Sequence, residues 1–231
     1  MRARDGAAGR GYYAEGLAAE RLRLCYDLAT PEVRRYMGAE IAHVRARLDP
    51  DDRVLELGCG YGRIVKDLAA SAGFICGVDT SRASLRYGAD YLAGVENVAL
   101  VCADAAAPGL APGAFDVVCC LQNGVSAFKI EPLRLFRAAL ESTRPGGRTL
   151  FASYAAGFWE DRLAWFRIQA EHGLVGEIDE DATGNGRIVC KDGFSATTFG
   201  ADDFRDLAAA CGRETRIETV AASSLFCEMT A

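Results

Sequence analysis

Histidine is nearly missing from this chain: 231 residues hold two, His43 and His172, which leaves few side chains able to act as a general base near neutral pH. No run of 18 apolar residues occurs, so no membrane span is expected. The opening stretch "MRARDGAAGRGYY" is charged and no apolar run follows it, so no secretory signal is expected and a cytoplasmic location is. A basic excess is lacking too. Twenty-six Lys and Arg stand against 32 Asp and Glu, a formal net charge of -6, which argues against a broad face for nucleic acid or anionic membrane. A small-molecule partner fits better, for a monomer or homodimer. Nine cysteines are present, but without a CxxC pair or a Cys/His cluster, so no metal is expected. Cys59, Cys76, Cys102, Cys119, Cys120 and Cys227 lie in or beside apolar runs, where a reduced cysteine packs as a small hydrophobe.

What is present is an alternation. Half the residues are apolar and a quarter charged, enough for one α/β domain with an appendage. The first 50 residues read as helical. In "TPEVRRYMGAEIAHVRARL" Thr30 is placed as N-cap and Pro31 as first helical residue, with Val33, Tyr36, Met37, Ile41, Val44 and Leu48 on one face and His43 on the polar side. An earlier helix is expected around Tyr13 to Leu28. From Arg53 short apolar runs alternate with helices over 62–72, 81–92, 132–142 and 160–171, the pattern of a parallel sheet covered on both faces. "RIETV" and "SSLFCEM" close the chain as one antiparallel strand pair at the sheet edge. "DEDATGNGR" reads as a solvated loop or hairpin turn.

The stretch "VLELGCGYGR", Val54 to Arg63, sets three glycines where the first strand should end. Without a Cβ there, backbone can approach a ligand closely, and ligands of open α/β sheets sit at the carboxyl ends of the strands. Acidic residues recur at the next two strand ends. Asp79 closes "FICGVD" and suits the ribose hydroxyls of a nucleoside; Asp104 closes "VALVCAD" and suits an adenine amine. Either could instead cap a helix. The nicotinamide-dinucleotide fingerprint G-x-G-x-x-G is not met, because Arg63 stands where its third glycine belongs.

Val54 to Arg63, "GVDTS" (77–81), "CADA" (102–105), "FDVVCCLQN" (115–123) and "RPGGRTLFAS" (144–153) resemble, in order and spacing, the motifs of the class I S-adenosylmethionine-dependent methyltransferases. The resemblance spans Asp52 to about Tyr154. It implies a Rossmann-like, doubly wound α/β fold whose seven-stranded, mostly parallel sheet has its last strand antiparallel, plus N-terminal helices. It divides the chain into a helical lid (1–50) and a methyltransferase domain (51–231) whose segment 155–200 shapes the acceptor pocket. S-adenosylmethionine would be the cofactor and S-adenosylhomocysteine its product. Gly58, Cys59, Gly60 and Gly62 would meet the methionine moiety and ribose, with Glu56 holding the glycine loop. Asp79 would take the ribose hydroxyls with Thr80 beside it, Asp104 and Ala105 the adenine, and Gln122 with Asn123 the edge near the sulfonium.

The chain departs from many relatives after the fourth strand. "LQNGVSAFK" carries neither a histidine nor a D/N-P-P-Y/F motif. Asn123 is therefore expected as a neutral hydrogen-bonding group beside the transferred methyl, toward an amine, thiolate or acidic hydroxyl. His172, just before Gly173, is either a helix C-cap or a catalytic base. Tyr13, Phe128, Tyr154 and Trp159 are the expected aromatic walls. The alternative in another class is a nonenzymatic S-adenosylmethionine sensor or partner subunit.

Overall fold

The computed structural model describes Tyr12 and residues 16–231. Two helices lead, α1 (Glu20–Asp27) and α2 (Pro31–Arg45), the latter opened by Thr30, whose hydroxyl accepts the Val33 N–H. Then β1 (Arg53–Leu57), α3 (Arg63–Leu68), β2 (Phe74–Asp79), α4 (Arg82–Tyr91), β3 (Val98–Cys102), β4 (Phe115–Cys120), α5 (Gly124–Ala127), α6 (Pro132–Ser142) and β5 (Thr143–Tyr154) follow. The remainder is α7 (Trp159–Glu171), the short strands β6 (Arg187–Val189) and β7 (Ser195–Thr197), α8 (Ala201–Ala210), β8 (Thr215–Val220) and β9 (Ser224–Thr230).

The main sheet runs β3-β2-β1-β4-β5-β9-β8, with β6 and β7 forming a separate hairpin. Pairing is parallel from β3 through β5, and β9 is antiparallel to both of its neighbours. The last strand is thus the antiparallel one, but it lies inside the sheet and β8 forms the edge. Alternate strand residues feed two cores, as a two-residue period requires. Val54, Ile75, Val117, Leu150 and Phe226 pack under α2 and α3; Leu55, Cys76, Val118, Phe151 and Cys227 pack under α6 and α8. The strands are buried on both faces, which is why they read as continuous apolar runs.

Several expectations change here. The first helix begins at Glu20; Tyr13 lies outside the described residues. Helix α8, carrying buried Phe204 and Ala208 near the strand pair, went unread in "ADDFRDLAAA". His43 is buried, its ring 4.1 Å from that of Phe226, because α2 is pressed against the sheet on a wider face than its apolar stripe suggested. All nine cysteines are free thiols and seven are buried.

Candidate active site

At the carboxyl end of β1 the backbone turns through Gly58, Gly60 and Gly62 with φ of 82°, 56° and 83°, values that β-carbon-bearing residues resist. Gly58 and Cys59 donate their N–H groups to the Val78 carbonyl at 2.8 and 3.0 Å. Asp79 completes the tie: one carboxylate oxygen accepts the Gly60 N–H at 2.8 Å and the other the Ser81 N–H at 2.7 Å. The glycine loop is therefore held by the end of β2, and no direct hydrogen bond from Glu56 to its amides is seen among the described residues. A hydroxyl of Ser81, and not the Asp79 carboxylate, caps α4. Gly62 caps α3 behind the loop.

These strand ends floor a cavity of about 360 Å³. Glu56, Gly58, Cys59, Gly60, Asp79, Thr80, Asp104, Ala105 and Gln122 all line it, so nearly every residue expected to bind the cofactor faces one space. A Cβ on Gly60 would stand 2.8 Å from the Leu22 side chain, so α1 comes down directly onto the loop. The roof is α1 and α7, joined where the Trp165 indole N–H donates to the Cys25 carbonyl at 3.0 Å.

Residues that line the cavity carry buried polar atoms with no hydrogen-bond partner among the described residues: Glu56 Oε2, Arg63 Nε and Nη2, Gln122 Nε2 and Gln169 Nε2. Burial pushes the Glu56 carboxyl up to about 8, against the pull of the Arg63 guanidinium. Arg63 lies over the Tyr26 ring at 4.5 Å and approaches the Asp67 carboxylate at 3.7 Å. Leaving a buried carboxylate oxygen and two guanidinium nitrogens unpaired is costly, so their common cavity suits a ligand that brings both charges, an ammonium and a carboxylate. Asp79 is also raised, by burial, with the Ser81, Gly60 and Thr80 amides opposing.

Three expected residues stand elsewhere. Asn123 is 5% exposed and its amide is already used: Nδ2 donates to the Thr197 carbonyl and Oδ1 accepts from Ser153 Oγ. It ties the loop after β4 to β7 and β5 and does not line the cavity, so the neutral group at that edge is Gln122. His172 is exposed, with Nδ1 2.8 Å from the Ile168 carbonyl, and serves as the C-cap of α7. Trp159 packs with the hairpin and has the Arg162 guanidinium 5.9 Å from its ring, because it starts α7 one turn before that helix reaches the cavity. Phe128 and Tyr154 do line the cavity, and Trp165 and Phe166 take the place expected of Trp159.

Arg63, Tyr26 and Gln169 went unread. Arg63 stands directly after Gly62 and reads from sequence only as the residue in place of the dinucleotide fingerprint's third glycine. On α7, residues 162, 165, 166 and 169 share one face, and the polar Arg162 and Gln169 in that buried stripe were the available signal.

Floor, facing charged side chains and reversed strand order suit a nucleoside ligand that bears an amino-acid end. Residues 54–147 match a family model described as a methyltransferase domain. Over 104 residues the chain is 34% identical to a ubiquinone biosynthesis O-methyltransferase of Ralstonia nicotianae, a stretch that is 44% of this chain and 42% of that one. It is 32% identical over 117 residues to a demethylmenaquinone methyltransferase of Corynebacterium urealyticum, 48% of this chain and 46% of that one. The chain thus spans under half the length of these curated relatives. The solved structure of a DhpI-SAM-HEP complex shares the fold across 100% of both chains, with a TM-score of 0.64 at 16% identity. Over residues 54–147 the chain is thus similar to methyltransferase domains, and its fold is shared with a solved S-adenosylmethionine-dependent methyltransferase of Methanosarcina mazei at a TM-score of 0.60.

Proposed function

We propose that the protein transfers a methyl group from S-adenosylmethionine to a small molecule with an apolar or aromatic body. The observation that carries this is the set of unpartnered buried atoms on Glu56 and Arg63 in the same cavity as the glycine loop, Asp79 and Asp104. When bound, the cofactor supplies an electrophilic methyl on a sulfonium. The chain's own residues do the rest. Arg63 holds the cofactor's carboxylate, Glu56 its ammonium, Asp79 and Thr80 the ribose side and Asp104 with Ala105 the adenine. Helix α1, as the lid, and α7 exclude water. Aligning two reactants in such a space is worth roughly 7–11 kcal/mol, so little further machinery is needed for a good nucleophile.

The acceptor side supports an apolar partner: Leu22, Phe128, Tyr154, Trp165 and Phe166 form its wall, and the Gln169 amide offers one buried N–H donor. The names of the two curated relatives, both quinone-related methyltransferases, agree with such a body. Neither His43 nor His172 lines the cavity, so the reading favours an amine, thiolate or acidic hydroxyl that needs no histidine base. Calorimetry should find one S-adenosylhomocysteine site per chain and none for NAD. Methyl-labelled S-adenosylmethionine incubated with a metabolite extract should then label a small molecule. S-adenosylhomocysteine binding without any labelled product would favour the sensor alternative, and tight NAD binding alone would overturn both.

A further inference from the structure

Glu40 is fully buried in α2, outside the cavity, and is held from two sides. Its Oε2 accepts the backbone N–H of Gln122 at 2.9 Å, and its Oε1 accepts the Ser224 hydroxyl at 2.6 Å. Gln122 follows β4 in the left-handed region, with φ 51°, a conformation that a residue with a side chain keeps only when its surroundings hold it. Gln122 lines the cavity, and its side-chain Nε2 is buried with no hydrogen-bond partner among the described residues. Ser224 begins β9 directly opposite Tyr154, the aromatic wall at the end of β5. One carboxylate from the N-terminal segment therefore fastens two strand ends that flank the cavity.

We infer that Glu40 is a positioning residue of the cofactor site, fixing the Gln122 backbone from behind so that the Gln122 amide faces the ligand. The inference rests on the proposed cofactor reading and adds to it a role for α2 beyond covering the sheet. A buried carboxylate receiving an N–H and an O–H is a strong acceptor, and its loss strands the Gln122 N–H without a partner. Gln122 would then relax away from its left-handed conformation and carry its amide with it.

The test is a mutant cycle read by calorimetric titration with S-adenosylhomocysteine on the full chain, with folding checked by circular dichroism. Glu40→Leu should weaken binding roughly ten- to a hundredfold. Glu40→Gln keeps an acceptor oxygen for Gln122 and should stay within about threefold of the parent. Gln122→Ala removes the side chain through which Glu40 acts, so adding Glu40→Leu to it should cost less than about threefold more. If Glu40→Leu fails to fold, Ser224→Ala takes its place, with roughly a threefold to tenfold loss in the parent and none in the Gln122→Ala background. Folded Glu40→Leu binding like the parent would overturn the inference, as would the same loss with and without the Gln122 side chain. A parent that binds no S-adenosylhomocysteine would instead fail the cofactor reading, and this inference with it.

Discussion

Cofactor binding should release a proton, and Glu56 is its source. Burial raises the carboxyl from 4.5 to about 8, so at pH 7 roughly nine cavities in ten hold it neutral. An ammonium brought against Glu56 requires the carboxylate, so binding at pH 7 should expel about 0.9 proton per chain. Affinity for S-adenosylhomocysteine should accordingly climb by close to tenfold per pH unit between about pH 5 and pH 8 and flatten above. The cofactor-free fold should move the other way. A carboxyl raised on folding favours the folded state below 4.5 and loses that contribution as pH rises to about 8. Titrations at pH 7 in phosphate and in Tris separate the proton from the binding heat, since only released protons are taken up with the buffer's own enthalpy. 5′-Methylthioadenosine, which lacks the amino-acid end, should release none, and Glu56→Gln should abolish release with S-adenosylhomocysteine. Equal heats in the two buffers for S-adenosylhomocysteine, or equal release by the truncated ligand, would refute the pairing of Glu56 with the ammonium.

Asp79→Ala frees the Gly60 and Ser81 amides as well as the ribose side, and should weaken S-adenosylhomocysteine binding roughly ten- to a hundredfold in a folded protein; calorimetry showing parental affinity would leave Asp79 as a loop tie only. Asn123→Ala should lower Tm by about 4–8 °C, from roughly 2 kcal/mol for two lost buried hydrogen bonds and a strained left-handed alanine. His172→Ala, at an exposed helix end, should lower turnover by less than about tenfold, well short of the 10² to 10⁴ expected when a base is lost; a thousandfold loss with cofactor binding intact would restore it as the base. Removing residues 1–30 takes away Leu22, Cys25 and Tyr26 and should cost turnover and cofactor affinity more than sheet stability; a folded truncation with full activity would dismiss the lid.

The floor of the cavity was legible because its constraints are local. A glycine is needed where backbone approaches a ligand, a carboxylate is needed at a strand end, and both requirements fall on single positions in or beside strands that announce themselves as apolar runs. Gly58, Asp79, Asp104 and Gln122 stand at or just past the ends of β1, β2, β3 and β4, one to each successive strand, so spacing stood in for geometry. Asn123 shows the limit of that reasoning. It neighbours Gln122 in sequence, but consecutive left-handed residues send the two side chains apart, one into the cavity and one to Thr197 and Ser153. The same holds for Trp159 and Trp165 on α7, where six residues decide between hairpin and cavity.

The acceptor half was illegible for a reason that bears on how such a domain takes on new substrates. Its wall is assembled from α1 and, from a distant part of the chain, the loop after β4, the end of β5 and α7, which meet through packing and a few bonds such as Trp165 to Cys25. None of these contacts needs a fixed residue type at a fixed spacing; a Leu, Phe or Trp of the right volume serves. The cofactor floor, by contrast, is fixed by backbone hydrogen bonds between β1 and β2 that do not pass through the roof. Substitutions at Phe166 or Gln169 should therefore change which acceptor is methylated while leaving S-adenosylhomocysteine affinity within a few fold. Glu40 marks where that independence ends. Being bonded to both Gln122 and Ser224, it couples α2 to the floor's edge, and it is there that a change outside the cavity reaches the cofactor.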